Sequence, residues 1–185
     1  MAYTIEDELS SQSTYSPGLV QNDEELLRIF FHPEHIVNNV VIETAIALED
    51  LQSRGFSVDR RQYARRDITQ QTIDRQMARL PEKRQSGVIA LFQCGSVRTI
   101  QDDEQKRAFI VLDKACEQNI AHASIYSAIP RGRGALRKLR SLLLPLLQKR
   151  CNLEDIFPYV LLCCAILYSS HFVQKALVVQ AREGR

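Results

Sequence analysis

The sequence predicts an α+β fold, with a small mixed or antiparallel sheet of about four to five strands, packed helices and a C-terminal helical hairpin. Short apolar runs that are typical of strands occupy residues 25–31 and 88–94. Apolar residues recur with helical spacing over 69–80, and a leucine-rich segment over 135–150 precedes a long apolar one. The hydrophobic fraction of 45% and the charged fraction of 25% are those of a soluble globular domain.

Each strand is a short apolar run that ends at a turn former. Residues 25–31 end at His32-Pro33, because proline lacks a backbone donor and restricts the residue before it. Gly95 should break the run 88–94, and 96–100 should continue it as a strand or bulge. The remaining strands are expected at 56–58, 107–112 and 121–126.

The helices are predicted from apolar spacing and from their stop signals. A helix near 42–53 should end at Gly55, and one over 69–80 should end before Pro81. The helix over 135–150 should be kinked or ended by Pro145. A last helix, capped by Asn152, should cover 153–182.

Charge and composition divide the chain into three parts: a flexible acidic arm (1–22), an α+β domain (23–130) and the helical hairpin (131–185). The first 24 residues contain five acidic residues and no lysine or arginine. The net charge of +2 is too small to imply nucleic-acid binding. The five cysteines form no C-x-x-C pair, and the N-terminus has no apolar run, so we expect free thiols in a cytoplasmic protein.

Residues 156–174 contain no formal charge over 19 positions, which approaches the length of a membrane span. Pro158, His171 and neighbouring polar residues dilute the run, so we expect burial in the core or in an interface with protein. Surface binding to a membrane stays open as an alternative, because the basic, leucine-rich segment 136–150 precedes the run. The predicted partner interface consists of Leu153, Phe157, Val160, Leu161, Leu167 and Phe172.

Residue types that carry chemistry are present, but no established motif joins them. His32 and His35 would share a face only on a helix, which Pro33 opposes, so neither a metal nor a cofactor is predicted. Ser57 lies outside a G-x-S-x-G elbow, and a lone histidine such as His122 in an apolar strand is usually structural. Arginine favours phosphate, although the nearby acids favour a solvated surface. The phosphate-binding candidates are Arg60, Arg61, Arg131 and Arg133.

Short elements at 32–35 (HPEH), 55–60 (GFSVDR), 97–98 (VR) and 122–125 (HASI) occur in this order. In this respect the chain, over residues 25–128, resembles a group of small bacterial proteins that carry H-P-x-H, G-x-S-V-x-R and H-A-x-I elements. The group has no assigned activity, so the resemblance transfers no catalytic residue. It implies that the polar residues of these elements face one another.

From that implication we formulate the hypothesis that one cleft is lined by Arg28, His35, Ser57, Arg60 and His122. Such a set suits a phosphate or nucleotide ligand. The sequence therefore leaves three functions open. The first is a non-enzymatic accessory protein that binds a partner protein or self-associates through its apolar C-terminal helices. The second is a protein that binds or processes a nucleotide or RNA phosphate, and the third is a peripheral membrane protein.

Overall fold

The computed structural model describes residues 3–10 and 12–158, and its centre is a six-stranded sheet. The strands are β1 (Glu25–Pro33), β2 (Ile36–Val37), β3 (Val40–Val41), β4 (Phe56–Arg60), β5 (Arg84–Gln93), β6 (Phe109–Asp113), β7 (His122–Ser127) and β8 (Arg150–Cys151). The helices are α1 (Ile5–Ser10), α2 (Arg66–Arg79), α3 (Cys94–Arg98), α4 (Arg133–Leu143) and α5 (Leu153–Ile156).

The sheet has the order β6-β7-β4-β1-β5-β8, and every neighbouring pair is antiparallel. Strands β2 and β3 form a separate hairpin. The α+β class is therefore confirmed, with an antiparallel rather than a mixed sheet. β1 and β5 are the longest strands, with nine and ten residues, and they pair with each other along nearly their whole length.

The front face of the sheet carries the main core. Alternate residues such as Leu26, Phe30 and Phe56 project from this face and pack against leucines of α4, including Leu136 and Leu139. The back face carries a smaller core. Its two ends are covered differently, because α2 and α5 cover β1 and β5, whereas the N-terminal segment covers β6 and β7.

Two of the predicted elements differ from the structure. The stretch predicted as one helix near 42–53 forms a 3-10 turn at Glu43–Ala45 and a π-helical turn at Asp50–Arg54. Residues 96–100 do not continue β5 as a strand, because the chain turns into α3 at Cys94. Gly95 allows this turn, since a Cβ there would lie 2.9 Å from the Asn22 carbonyl oxygen.

Contacts cross both of the domain boundaries predicted from the sequence, and those boundaries stay predictions. Glu8 and Val20 of the predicted arm are buried, at 5% and 4% exposure. On the other side, α4 joins the main core and ends near Pro145 in a 3-10 turn. The last helix predicted from the sequence, 153–182, begins at Leu153 but ends at Ile156 as α5, because Pro158 disfavours a helical conformation at Phe157. The predicted residues 159–182 lie outside the described residues.

Candidate functional site

The five residues of the predicted cleft are divided between the two faces of the sheet. Arg28 lies two residues after Leu26 on β1, and Arg60 of β4 pairs with Leu26, so both project from the front face. Ser57 and His122 project from the back face. The polar residues of the short sequence elements therefore do not line a single cleft. Two separate clusters result, and each has its own chemistry.

The front cluster lies where β1 and β4 separate. The two strands are in register only at Leu26 with Arg60 and at Leu27 with Asp59. Just beyond these pairs, Nη1 of Arg28 donates a 2.7 Å hydrogen bond to the carbonyl oxygen of Ser57. The Arg28 side chain thus replaces strand pairing with a side-chain contact.

Arg28 holds its charge against aromatic rings rather than against a carboxylate. Its guanidinium carbon lies 4.4 Å from the Phe56 ring centroid and 5.8 Å from that of Phe30. No carboxylate of residues 3–10 or 12–158 forms an ion pair with it, and its buried Nε has no hydrogen-bond partner there. Burial lowers the pKa of Arg28 to about 10, despite the opposing charges of Asp50 and Asp59.

His35 contacts the same aromatic ring, that of Phe30. Its ring centroid is 5.8 Å from that of Phe30, and its Nδ1 accepts a hydrogen bond from the Phe31 backbone N–H at 3.2 Å. Burial lowers the pKa of His35 to about 4, although Glu34 opposes the shift and Arg28 adds to it. His35 is therefore neutral at pH 7. Two neighbouring groups with displaced pKa values mark the front cluster as a candidate site.

The back cluster is a polar strip on β4 and β7. Asp59 faces His122 across the two strands, with 3.8 Å between Oδ1 and the His122 Nδ1. Asp59 also accepts a 2.8 Å hydrogen bond from the side-chain amide of Asn119. Ser57 is exposed and faces Ser124 in the register. A serine nucleophile needs a neighbouring general base, and the residue opposite Ser57 is another serine. Ser57 is therefore a polar residue of a hydrogen-bonded strand end rather than an activated nucleophile.

The structure does not place Arg60 in a cleft, which is a correction to the sequence-based hypothesis. Arg60 is 1% exposed, and its Nε and Nη2 donate to the two Glu24 carboxylate oxygens at 2.7 and 2.6 Å. Nη1 donates to the Gly18 carbonyl at 2.6 Å and lies 3.7 Å from Asp113. A phosphate would have to displace these carboxylates, so Arg60 functions as an internal anchor.

The other phosphate candidates also have carboxylate partners. Arg61 pairs with Glu25, and Arg131 pairs with the buried Asp102. Arg133 is 78% exposed and lies 3.6 Å from Glu49. These pairs reduce the charge that each arginine can offer to a phosphate.

Two of the predicted interface residues belong to the core of the same chain. Leu153 is 7% exposed in the back-face core, and Phe157 packs against that core. The predicted interface residues Val160, Leu161, Leu167 and Phe172 lie outside the described residues. In the part of the chain that the structure describes, no helix is long and apolar enough to cross a bilayer.

Sequence reasoning missed a buried charge cluster that fixes the N-terminal segment. The Glu8 carboxylate accepts hydrogen bonds from Arg98 Nε at 2.9 Å, Arg107 Nη2 at 2.6 Å and the Val111 backbone N–H at 2.7 Å. The sequence contains one relevant signal, the excess of acid in an arm without lysine or arginine. That signal does not say which acid meets which arginine.

Among residues 3–10 and 12–158, no group of three or more His, Cys, Asp or Glu side chains converges. Cys94, Cys116 and Cys151 are free thiols, and burial raises the pKa of Cys94 to about 11. The other two cysteines lie outside the described residues.

The fold and its clusters define an α+β protein with a closed core and with charged groups that are mostly paired. Comparisons with protein-family models, with curated proteins and with solved structures find no match.

Proposed function

We propose that this chain is a non-enzymatic interaction protein, which binds protein through the uncharged segment 156–174. The partner that we propose is a second copy of the chain. The observation that carries the proposal is the position of Ile156: it is 5% exposed on the back face, so the uncharged segment starts at an existing core.

The described surface offers little for the rest of this segment to cover. The front face is covered by α4 and the back face by α2 and α5. The exposed large apolar residues of the described chain are few and spread over several elements: Ile5, Leu9, Tyr15, Val37, Val40, Ile120, Ile129 and Leu142. A surface of another protein molecule is the alternative cover.

The free energy gained by burying the apolar side chains of this segment is large enough to drive association. Residues 159–174 include seven large apolar side chains, Val160, Leu161, Leu162, Ile166, Leu167, Phe172 and Val173. Burial of such a side chain contributes about 1.5–3 kcal/mol, so leaving all of them in water would cost roughly 10 kcal/mol or more.

The test is the mass of the purified chain by light scattering. One chain has a mass of 21.2 kDa, and we expect a multiple of it. In the full chain, the double substitution Leu161→Glu with Leu167→Glu should reduce the mass to that of one chain, because two charges would have to be desolvated. The matched control is Ser169→Glu with Ser170→Glu, which adds the same charge at polar positions and should retain the larger mass.

Two outcomes would contradict the proposal. One is a wild-type mass of one chain in the absence of other protein. The other is flotation of the wild-type chain with lipid vesicles that the leucine variant abolishes, which would support the peripheral membrane alternative.

A further inference from the structure

A cavity of about 660 Å³ lies beside the buried Glu8 cluster, between α1, residues 19–22 and α3. Small-molecule sites commonly have volumes of about 300–1,000 Å³ and combine apolar walls with a few convergent polar groups. Both features are present here. The lining residues are Glu8, Leu9, Leu19, Val20, Gln21, Asn22, Gly95, Arg98, Thr99 and Arg107.

The charges that line this cavity do not cancel. Arg98 and Arg107 are its two cations, and Glu8 is its one acid. Both arginines bind the same Glu8 carboxylate, at 2.9 Å from Arg98 Nε and at 2.6 Å from Arg107 Nη2. One positive charge is therefore left over among the groups that line the cavity.

The hydrogen bonds of the two arginines show where an anion would bind. Arg98 uses Nε for Glu8, Nη1 for Asn22 Oδ1 at 2.7 Å and Nη2 for the Val20 carbonyl at 2.8 Å. Arg107 uses Nε for the Phe109 carbonyl at 2.8 Å and Nη2 for Glu8. Nη1 of Arg107 donates no hydrogen bond to the described residues, so it is the donor that remains for a ligand.

The same cavity also has apolar walls. Leu9 is 66% exposed, the most exposed large apolar side chain of the described residues. Leu19 is partly buried and Val20 is buried, and both line the cavity together with Leu9. A cavity that combines an exposed leucine with an unbalanced cation favours a ligand that has a hydrocarbon part and one negative charge.

We propose that this cavity binds a small monocarboxylate with a short hydrocarbon chain. Its carboxylate would accept from Arg107 Nη1, and its hydrocarbon would cover Leu9 and Leu19. A single guanidinium nitrogen can serve both oxygens of a carboxylate, as Nη2 of Arg107 does with Glu8 in this cluster, and the charge of the guanidinium strengthens such hydrogen bonds. A phosphate dianion fits less well, because its second charge would lie next to the Glu8 carboxylate without a cation.

The test is a titration of the full-length chain with butyrate, followed through the backbone amide resonances of Gly95 and Thr99. We expect saturable shifts with a dissociation constant of about 1–10 mM, the range of a ligand of this size. Leu9→Glu should weaken binding at least about tenfold, because it adds a carboxylate at the rim. Leu142→Glu is the matched control: that residue is also exposed, lines a different cavity and should leave the affinity unchanged.

Two additional ligands define the class. Butanol, which lacks the carboxylate, and inorganic phosphate, which lacks the hydrocarbon, should each bind at least about tenfold more weakly than butyrate. The proposal is overturned if butyrate gives no saturable shift at Gly95 and Thr99, if Leu9→Glu binds as tightly as wild type, or if either additional ligand equals butyrate. The readout is independent of the mass measurement, so the site and the proposed association can fail separately.

Discussion

Arg60 and Arg61 are consecutive residues, and each forms an ion pair with a carboxylate. The two ion pairs differ greatly in burial. The Arg60–Glu24 pair is 1% and 5% exposed, whereas the Arg61–Glu25 pair is 37% and 30% exposed. Removing one partner of a buried pair leaves an uncompensated charge, which costs far more than the loss of a surface pair. Because its ion pair is buried, Arg60 should contribute far more to the stability of the fold than Arg61.

We expect Arg60→Met to lower the free energy of unfolding by about 3–5 kcal/mol, because it leaves the buried Glu24 carboxylate without the cation that binds both of its oxygens. The matched variant Arg61→Met should cost about 1 kcal/mol or less. Denaturant unfolding of both variants measures the difference. Equal costs would contradict the role of Arg60 as an internal anchor.

The lowered pKa of His35 predicts that the stability of the folded chain depends on pH. The folded state holds its pKa near 4, below the ordinary value of 6.5, so the unfolded state binds the proton more readily. This contribution to stability is present in full above pH 6.5 and is lost as the pH falls toward 4. Between pH 7 and pH 5 the loss is about 2 kcal/mol.

The variant His35→Asn should remove most of that loss, since its amide oxygen can accept the Phe31 N–H but does not titrate. Unfolding curves at pH 7 and pH 5 give the comparison. His122→Asn retains His35 and should keep the wild-type difference. If the loss persisted undiminished in His35→Asn, another group would have to be responsible.

At the scale of elements, Gly55 connects the π-helical turn to β4 and determines how closely β7 approaches. Its φ is +90°, and a Cβ there would lie 2.6 Å from Tyr126 Oη and 2.8 Å from Ser124. We expect Gly55→Ala to destabilise by about 2–4 kcal/mol through backbone strain and overpacking. Gly134→Ala, in α4 with open space around it, should stabilise by about 0.5–1 kcal/mol. Thermal or denaturant unfolding of both variants measures the difference. If Gly55→Ala and Gly134→Ala changed the free energy of unfolding by similar amounts, the requirement for glycine at position 55 would be contradicted.

The strands were predictable because their apolar runs are short and end at turn formers. In β6 and in the second half of β5, burial on both faces produces continuous apolar sequence. The turn at α3 was not predictable, because it depends on the Asn22 carbonyl beside Gly95. The 42–53 stretch has helical spacing, yet it forms two short turns, and Glu43 in the first of them pairs with Arg140 of α4 at 2.5 Å, a contact that apolar spacing does not specify.

The candidate site was less predictable than the fold. Arg28 and His35 were named from the sequence, but their shared position against Phe30 depends on the separation of β1 from β4. Strand alternation also places Ser57 and His122 on the opposite face, and a one-residue change in register would reverse this. Register is set by pairing across the whole sheet, which short motifs do not specify.

At the scale of the whole molecule, the back-face core determines where the chain can be shortened without unfolding. Leu153 and Ile156 belong to that core and are 7% and 5% exposed, and Cys151 packs against it. A chain ending at Pro158 keeps all three, whereas a chain ending at Arg150 loses all three. Loss of a buried leucine or isoleucine costs about 2–5 kcal/mol, so the shorter chain should lose at least about 4 kcal/mol of stability.

The chain ending at Pro158 should unfold cooperatively, with nearly the stability of a single full-length chain. Denaturant unfolding at low protein concentration makes the comparison. If the shorter chain were as stable as the longer one, α5 would not be part of the core, and the uncharged segment would not start from the back face of the sheet.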